Sequence, residues 1–310
     1  IQQALQDNGY DPDLCQLAAD STGQLITKAL CEDPAVKLID YTGGSAFGNY
    51  IESLAGKTVF TEKAGVNSVI LDSLKDLGAV IQNLAFSVSL YSGQMCTAPQ
   101  NIFIPEHGIN TANGQAPFND VVQQLKNAIV GLVNHPKMGA GTLGAIQNEV
   151  TLSRAKEARH LGGKVILEGT PVANEEFSNA RVCAPVIIEV SSADTNIYEK
   201  ELFGPVVLVI KTRDTAHSIQ LARQMALKYG AITCGAYTTN ADIKEQITEE
   251  MNSVFTPVSF NFTGPVWVNQ HAAFSDFHVT GGNPAGNASF TNQEFIVKRF
   301  VWVGNREMAG

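Results

Sequence analysis

The stretch LYSGQMCTAPQNIFI, residues 90–104, holds one cysteine in a loop of small and polar residues, between a helix-like and a strand-like run. A thiol nucleophile must be partly exposed and helped toward thiolate by a helix N-terminus, a cation or a base. Around Cys96 such help can be arranged. Gly93 permits a tight turn, Thr97 and Ala98 are small, and Pro99 donates no backbone hydrogen bond. By itself the loop still favours a filler role, the ordinary fate of free cysteines. The other four, Cys15, Cys31, Cys183 and Cys234, fall in helix-like or strand-like segments and are expected to be core filler.

Two carboxylates alter that balance. Glu62 closes the strand-like KTVFTE and leads into a loop containing Ala64 and Gly65, 34 residues before Cys96. A carboxylate leaving a strand into small residues is well placed for general-base work. Glu201 stands just before Phe203, Gly204 and Pro205, at the entrance to the strand-like GPVVLVIKT. Either acid seen alone reads as a solvated charge at a strand end.

The elements that must position these groups alternate in type. Strand-like runs AVKLIDYTGG, KTVFTE, NSVILD, GKVILEG, APVIIEV, GPVVLVIKT and GAITCGAYT are interleaved with helical patterns. Those helical patterns include residues 73–91, PFNDVVQQLKNAIVGLV, AHSIQLARQMALKY and NADIKEQITEEMN. That alternation predicts an α/β protein with a parallel, wound sheet. GAGTLG at 139–144 matches a dinucleotide-loop spelling, but NHPKM, not a buried strand, precedes it. It therefore reads as a loop before the helix NEVTLSRAKEARHL. The run EFIVKRFVWVG, 294–304, is β-rich and in need of a partner edge.

Composition narrows the classes. Hydrophobic residues are 44% and charged residues 16% of the 310, which is enough apolar material for a substantial core. A net charge of −9 without any Lys/Arg run argues against a nucleic-acid partner. No apolar stretch is long enough to span a bilayer. Five scattered cysteines without CxxC, and six histidines without HxH or HxxxH, point away from disulfides and metals and toward a reducing, cytoplasmic setting.

In order and spacing the chain resembles the aldehyde dehydrogenase superfamily, from about residue 35 to the terminal strand. The family's G-Q-x-C nucleophile motif stands as Gly93-Gln94-Met95-Cys96, and its E-L-G-G-K motif as Glu62-Lys63-Ala64-Gly65-Val66. E-x-F-G-P stands as Glu201-Leu202-Phe203-Gly204-Pro205. The F-T-G-S-x-x-x-G turn stands as Tyr41-Thr42-Gly43-Gly44-Ser45-Ala46-Phe47-Gly48. The resemblance implies Cys96 as nucleophile, Glu62 as general base, and Glu201, Phe203, Gly43, Ser45 and Gly48 as residues binding NAD or NADP. It further implies an aldehyde dehydrogenase-like fold with only part of the Rossmann-type cofactor domain (1–65) and a complete catalytic domain (66–275). The return segment and oligomerisation strand (276–310) would follow, the 294–304 strand joining copies of the chain into a homo-oligomer.

Departures from the family pattern shape the expectations. Ala64 replaces a glycine, Val66 a lysine, and Ser89 an aromatic, while FSDFHVTGGNPAGNASFT replaces F-G-G-x-K-x-S-G. With SFNFTGPVWVNQHAAFSDFH, this tail resembles a branch associated with phenylacetic acid degradation, which implies an aldehyde from aromatic-ring catabolism, free or CoA-linked. A CoA-acylating dehydrogenase and a non-catalytic assembly module are the alternatives. The family's first cofactor strands, adenosine-ribose lysine and oxyanion asparagine have no counterpart after Ile1. Loss of one oxyanion donor alone costs on the order of 10²–10³ in rate, so little turnover is expected of these 310 residues alone.

Overall fold

SVIL, NIFIP, VIIEVS and VVLVIKT are apolar runs without polar alternation, and strands of that kind need cover on both faces. The computed structural model describes residues 1–21, 23–264, 282–287 and 303–308. Its strands are β1 (Leu38–Thr42), β2 (Thr58–Glu62), β3 (Ser68–Leu71), β4 (Ser73–Leu74), β5 (Asn101–Pro105), β6 (Ile109–Thr111) and β7 (Gly114–Ala116). After them come β8 (Lys164–Leu167), β9 (Val186–Ser191), β10 (Val206–Thr212), β11 (Cys234–Tyr237), β12 (Val258–Phe260) and β13 (Arg306–Glu307). The main sheet has the order β13-β12-β11-β3-β5-β10-β9-β8. Every pairing in it is parallel except that of β8 with β9. Strands β1 and β2 form a separate parallel pair, and β4, β6 and β7 a small third sheet.

Both faces of the main sheet are covered, as the apolar runs require. Successive strand residues point to opposite faces. Ile70, Phe103, Ile188, Leu208 and Ile210 pack under helices Thr215–Tyr229 and Ala241–Asn252. Val69, Leu71, Ile102, Ile104 and Val209 pack under helices Leu77–Ser89 and Phe118–Val133. Short polar side chains begin several helices by accepting otherwise unused N–H groups. Asp76 accepts from Ala79 N at 3.0 Å, Asn148 from Thr151 N at 2.8 Å, and Asp214 from His217 N at 2.7 Å.

The structure refines three local expectations. The long helix opens at Leu77 instead of residue 73, because Ser73 and Leu74 pair with β6 and Asp76 caps the helix. GAGTLG forms a short helix, Gly139–Leu143, that ends on Gly144 in left-handed conformation (φ 62°). A Cβ on Gly139 would lie 2.1 Å from the Val133 carbonyl oxygen, so this glycine serves close packing on the preceding helix. Cys15 follows a single turn and is half-exposed, whereas Cys31, Cys183 and Cys234 are buried. The run 294–304 falls almost wholly outside the described residues. Among the described residues no helix is long and apolar enough to cross a membrane.

Phe103 is fully buried and meets Tyr198 edge-on, with ring centroids 6.0 Å apart. Phe103→Ala is expected to lower the unfolding free energy by about 3–5 kcal/mol. Urea denaturation checks this; a change below about 1 kcal/mol, the ordinary single-substitution scale, would contradict the packing described.

Candidate active site

Parallel pairing sets Ser68, Asn101, Leu208 and Cys234 side by side. The residues that lead into β3, β5, β10 and β11 therefore gather along one edge of the sheet. Asn67, directly before β3, is buried there and uses its whole amide. Its Nδ2 donates to the carbonyls of Cys96 (2.7 Å) and Ala98 (3.2 Å). Its Oδ1 accepts from the N–H groups of Ile232 (3.0 Å) and Thr233 (3.2 Å). One side chain thus ties the cysteine loop to the starts of two strands.

The other end of the cysteine loop is wound tightly. Tyr91, Ser92 and Gly93 all take left-handed backbone conformations, with φ of 52°, 54° and 64°. That conformation costs a non-glycine residue about 1–2 kcal/mol, so local bonds must hold it. Ser92 Oγ donates to the Leu143 carbonyl at 2.9 Å. Gln94 Nε2 donates to the carbonyls of Tyr91 and Ala145 at 3.0 Å, and its Oε1 accepts from Gln147 N at 3.0 Å. A Cβ on Gly93 would lie 2.3 Å from the Gly204 carbonyl oxygen, so only glycine lets this loop rest on the Glu201–Pro205 loop. Gln100 joins the two further: its Oε1 accepts from Leu202 N at 2.6 Å and its Nε2 donates to the Lys200 carbonyl at 3.1 Å.

Glu62 and Cys96, distant in sequence, meet here. The half-buried Cys96 packs against Ile232 and Ala285. Burial pushes its thiol above the ordinary range, and the charge of Glu62 with a hydrogen bond to that carboxylate pushes it further. The N–H groups of Cys96 and Thr97 act in the opposite sense. At neutral pH the sulfur therefore keeps its proton, with the Glu62 carboxylate beside it.

Glu201 comes to the same edge. With Gly65, Met95 and Phe203 it lines a small cavity beside the cysteine loop. Burial raises its carboxyl above the usual glutamate range, offset by the Gly65 N–H and the charge of Arg154. Arg154 also donates to the Phe203 carbonyl. At the β1–β2 pair, Gly43 N donates to the Glu62 carbonyl at 3.0 Å, and Gly43 and Gly44 are exposed. Ser45 opens helix Ser45–Glu52 with no side-chain cap. Tyr41 lies over the turn, its hydroxyl donating to the Gly44 carbonyl at 2.9 Å. Gly48 is buried beneath Lys63: a Cβ would stand 2.6 Å from Lys63 Cγ and Cδ. Lys63 crosses there to Glu52 Oε2 at 2.9 Å and Asn49 Oδ1 at 2.8 Å.

Neither Asn67 nor Arg154 stands out in the sequence. Asn67 carries one visible signal, a polar residue set against the buried run SVIL. Arg154 carries none. Among the described residues no group of three His, Cys, Asp or Glu side chains could hold a metal ion.

The aldehyde dehydrogenase family profile matches residues 1–296. The chain belongs to the aldehyde dehydrogenase family. The fold is similar to that of an NAD-dependent aldehyde dehydrogenase from Burkholderia multivorans, at 41% identity and a TM-score of 0.88. That match covers 96% of this chain and 54% of the other. By sequence the chain is 25% identical over 278 residues to a vanillin dehydrogenase from Corynebacterium glutamicum, covering 86% of this chain and 52% of that protein. An NADP-dependent glyceraldehyde-3-phosphate dehydrogenase from Bacillus halodurans shares the fold, with a TM-score of 0.64, 20% identity, and coverage of 84% and 52%. The chain spans about half the length of the relatives it matches.

Two measurements probe this edge. Asn67→Ala would leave two N–H groups and two carbonyls without their partner, and is expected to cost at least about 1–3 kcal/mol in denaturant unfolding. A neutral effect would mean that the amide does not hold the loop. Glu201 has its carboxyl raised in the fold, so its ionisation opposes folding. That cost is absent in acid, below the unfolded carboxyl's ordinary range, and sets in as pH rises through the folded value. Glu201→Gln should therefore raise the melting temperature more at pH 7 than at pH 4; equal changes at both would contradict the assignment.

Proposed function

We propose that the protein oxidises an aldehyde to a carboxylic acid with NAD or NADP, through covalent intermediates on Cys96. The observation that carries this reading is the Glu62 carboxylate against the Cys96 thiol, on the edge that also holds Glu201. In the first step sulfur adds to the aldehyde carbon while the thiol proton passes to Glu62, giving the oxyanion of a thiohemiacetal. A bound nicotinamide cofactor supplies the acceptor for the hydride that leaves this carbon, and a thioester remains on Cys96. Glu62 releases the thiol's proton to solvent and then takes a proton from water as the water oxygen attacks the thioester. The C–S bond breaks, the departing sulfur takes that proton back from Glu62, and the acid leaves the regenerated thiol.

The residues present fit such a cofactor. The Glu201 carboxylate, in the cavity beside the cysteine loop, suits the hydroxyls of the nicotinamide-side ribose, with Phe203 next to it. The uncapped start of helix Ser45–Glu52 offers Ser45 and neighbouring N–H groups to a pyrophosphate, with Gly43 exposed at its approach and Gly48 within the helix. The separate β1–β2 pair supports reading residues up to 65 as cofactor domain and those from 66 to 275 as catalytic domain. The substrate we favour is an aldehyde from aromatic-compound, phenylacetate-type catabolism, supported by the likeness to a vanillin dehydrogenase and by the stretches SFNFTGPVWVNQHAAFSDFH and FSDFHVTGGNPAGNASFT. The retained Glu62 favours water over coenzyme A as the acyl acceptor. Assembly as a homo-oligomer through 294–304, in a reducing cytoplasm suited to five thiols, completes the proposal.

Aldehyde-dependent NAD(P)H formation by the protein tests this. Cys96→Ala should abolish it, and Glu62→Gln should lower it by about 10²–10⁴-fold, the usual contribution of a general base. Undiminished turnover in Cys96→Ala would remove the thiol from the mechanism. Acyl-CoA formed only when coenzyme A is added would replace hydrolysis by acyl transfer.

A further inference from the structure

Among the described residues strand β2 shares no pairing with the main sheet, so no backbone ladder described between the two sheets sets Glu62 against the cysteine loop. A five-residue segment far along the chain connects the two. At one end, Asn283 Nδ2 donates to the carbonyls of Ala231 (3.1 Å) and Phe255 (3.0 Å), in the loops that open β11 and β12. Its Oδ1 accepts from Ala285 N at 2.9 Å, which fixes the segment's turn. At the other end, Asn287 holds β2. Its Oδ1 accepts from Thr61 N (2.6 Å) and Thr61 Oγ1 (3.1 Å), its Nδ2 donates to the Val59 carbonyl (3.2 Å), and its own N–H donates to the Thr61 carbonyl (2.9 Å).

Between these amides the segment touches the reacting groups themselves. Ala285 is fully buried against Cys96 and Ile232, and its carbonyl accepts from Lys63 N at 2.6 Å. Gly286 bridges to Glu62, where a Cβ would stand 2.2 Å from the Thr61 carbonyl oxygen. The chain from 283 to 287 is thus anchored to the main sheet, pressed on the nucleophile, and bonded to the residue preceding the base.

We propose that Asn283 and Asn287 are positioning residues, bracing the end of β2 against the β11 and β12 loops so that Glu62 stays on the Cys96 thiol. The proposal rests on the reading of Glu62 as the base that serves Cys96. Among the described residues Glu62 is the charged group acting on the thiol. Lys63 is turned away to Glu52 and Asn49, and Glu201 is engaged by the Gly65 N–H and faced by Arg154. Slackening the brace should therefore free the thiol from its carboxylate and let it titrate lower.

The test is the pH profile of iodoacetamide alkylation at Cys96, followed by peptide mass spectrometry on the 310-residue chain, with far-UV circular dichroism as the check on folding. No turnover is needed. Glu62→Gln, Asn287→Ala and Asn283→Ala should each move the midpoint to lower pH, and alkylation below the midpoint should quicken about tenfold for each pH unit that the midpoint falls. The double variant Glu62→Gln/Asn287→Ala should move no further than Glu62→Gln alone. A general loss of packing would not produce that non-additivity. If Glu62→Gln moves the profile and both asparagine variants fold without moving it, the brace is refuted and the base survives. If Glu62→Gln itself leaves the profile in place, the reading of Glu62 fails and the brace with it. Loss of the native spectrum in both asparagine variants would also count against positioning, since the segment would then serve stability first.

Discussion

Everything at the candidate site depends on parallel register. Because Ser68, Asn101, Leu208 and Cys234 align, the residues entering four strands fall on one edge, whatever their separation in sequence. Asn67 turns that alignment into a site. Its amide has two donors and two acceptor positions, and all four bind backbone groups of the cysteine loop and of the entrance to β11. In a buried setting such full satisfaction is what makes one polar side chain stabilising; a half-bonded amide there would be a liability.

The choice of edge has an electrostatic consequence. Open α/β sheets commonly bind ligands beyond the carboxyl ends of their strands, where helix N-termini present positive ends. Here the thiol lies at the opposite edge, and helix Leu77–Ser89 approaches it with its C-terminal end. Of the three aids to a thiolate, namely helix N-terminus, cation and base, the proposed mechanism draws on the base, Glu62. A carboxylate beside a half-buried thiol raises the cost of standing ionisation while offering a destination for the proton at the moment of attack. On the proposed mechanism, reactivity then depends on the contact between Glu62 and Cys96 more than on a resting thiolate. That explains why two separate sheets have to be held in fixed relation.

What was legible in the sequence follows from the range of the interactions involved. The apolar runs of β3, β5, β9 and β10 announced a sheet covered on both faces, and Gly93-Gln94-Met95-Cys96 lay in order with Glu62 and Glu201. These signals are local. The stagger of the helix start to Leu77 was set by pairing of Ser73 and Leu74 with β6, a tertiary event that overrode local periodicity. Asn67, Gln100 and Arg154 act across tens of residues, and nothing in their immediate neighbours marks an amide or guanidinium that will find its partners there. GAGTLG matches a phosphate loop only in letters, since its first glycine packs on the Val133 carbonyl.

The departures from the family motif at Glu62-Lys63-Ala64-Gly65-Val66 prove to be accommodated. Val66 is buried in the core with its N–H on the Gly230 carbonyl at 2.8 Å, a place where a lysine would need a partner for its charge. Gly65 is retained, its N–H serving Glu201 and its Cα side facing Ala231, where a Cβ would come within 3.4 Å. The lysine at position 63 is buried too, but Gly48 leaves room for its stem, and Glu52 and Asn49 receive its ammonium. Glu52 also accepts the Thr61 hydroxyl, so helix Ser45–Glu52 grips the end of β2. A change that looks like decay in the motif thus comes with compensating residues around it. On the proposed function, the mutual fit of Gly48, Glu52 and Gly65 holds the end of β2, and with it Glu62, in place.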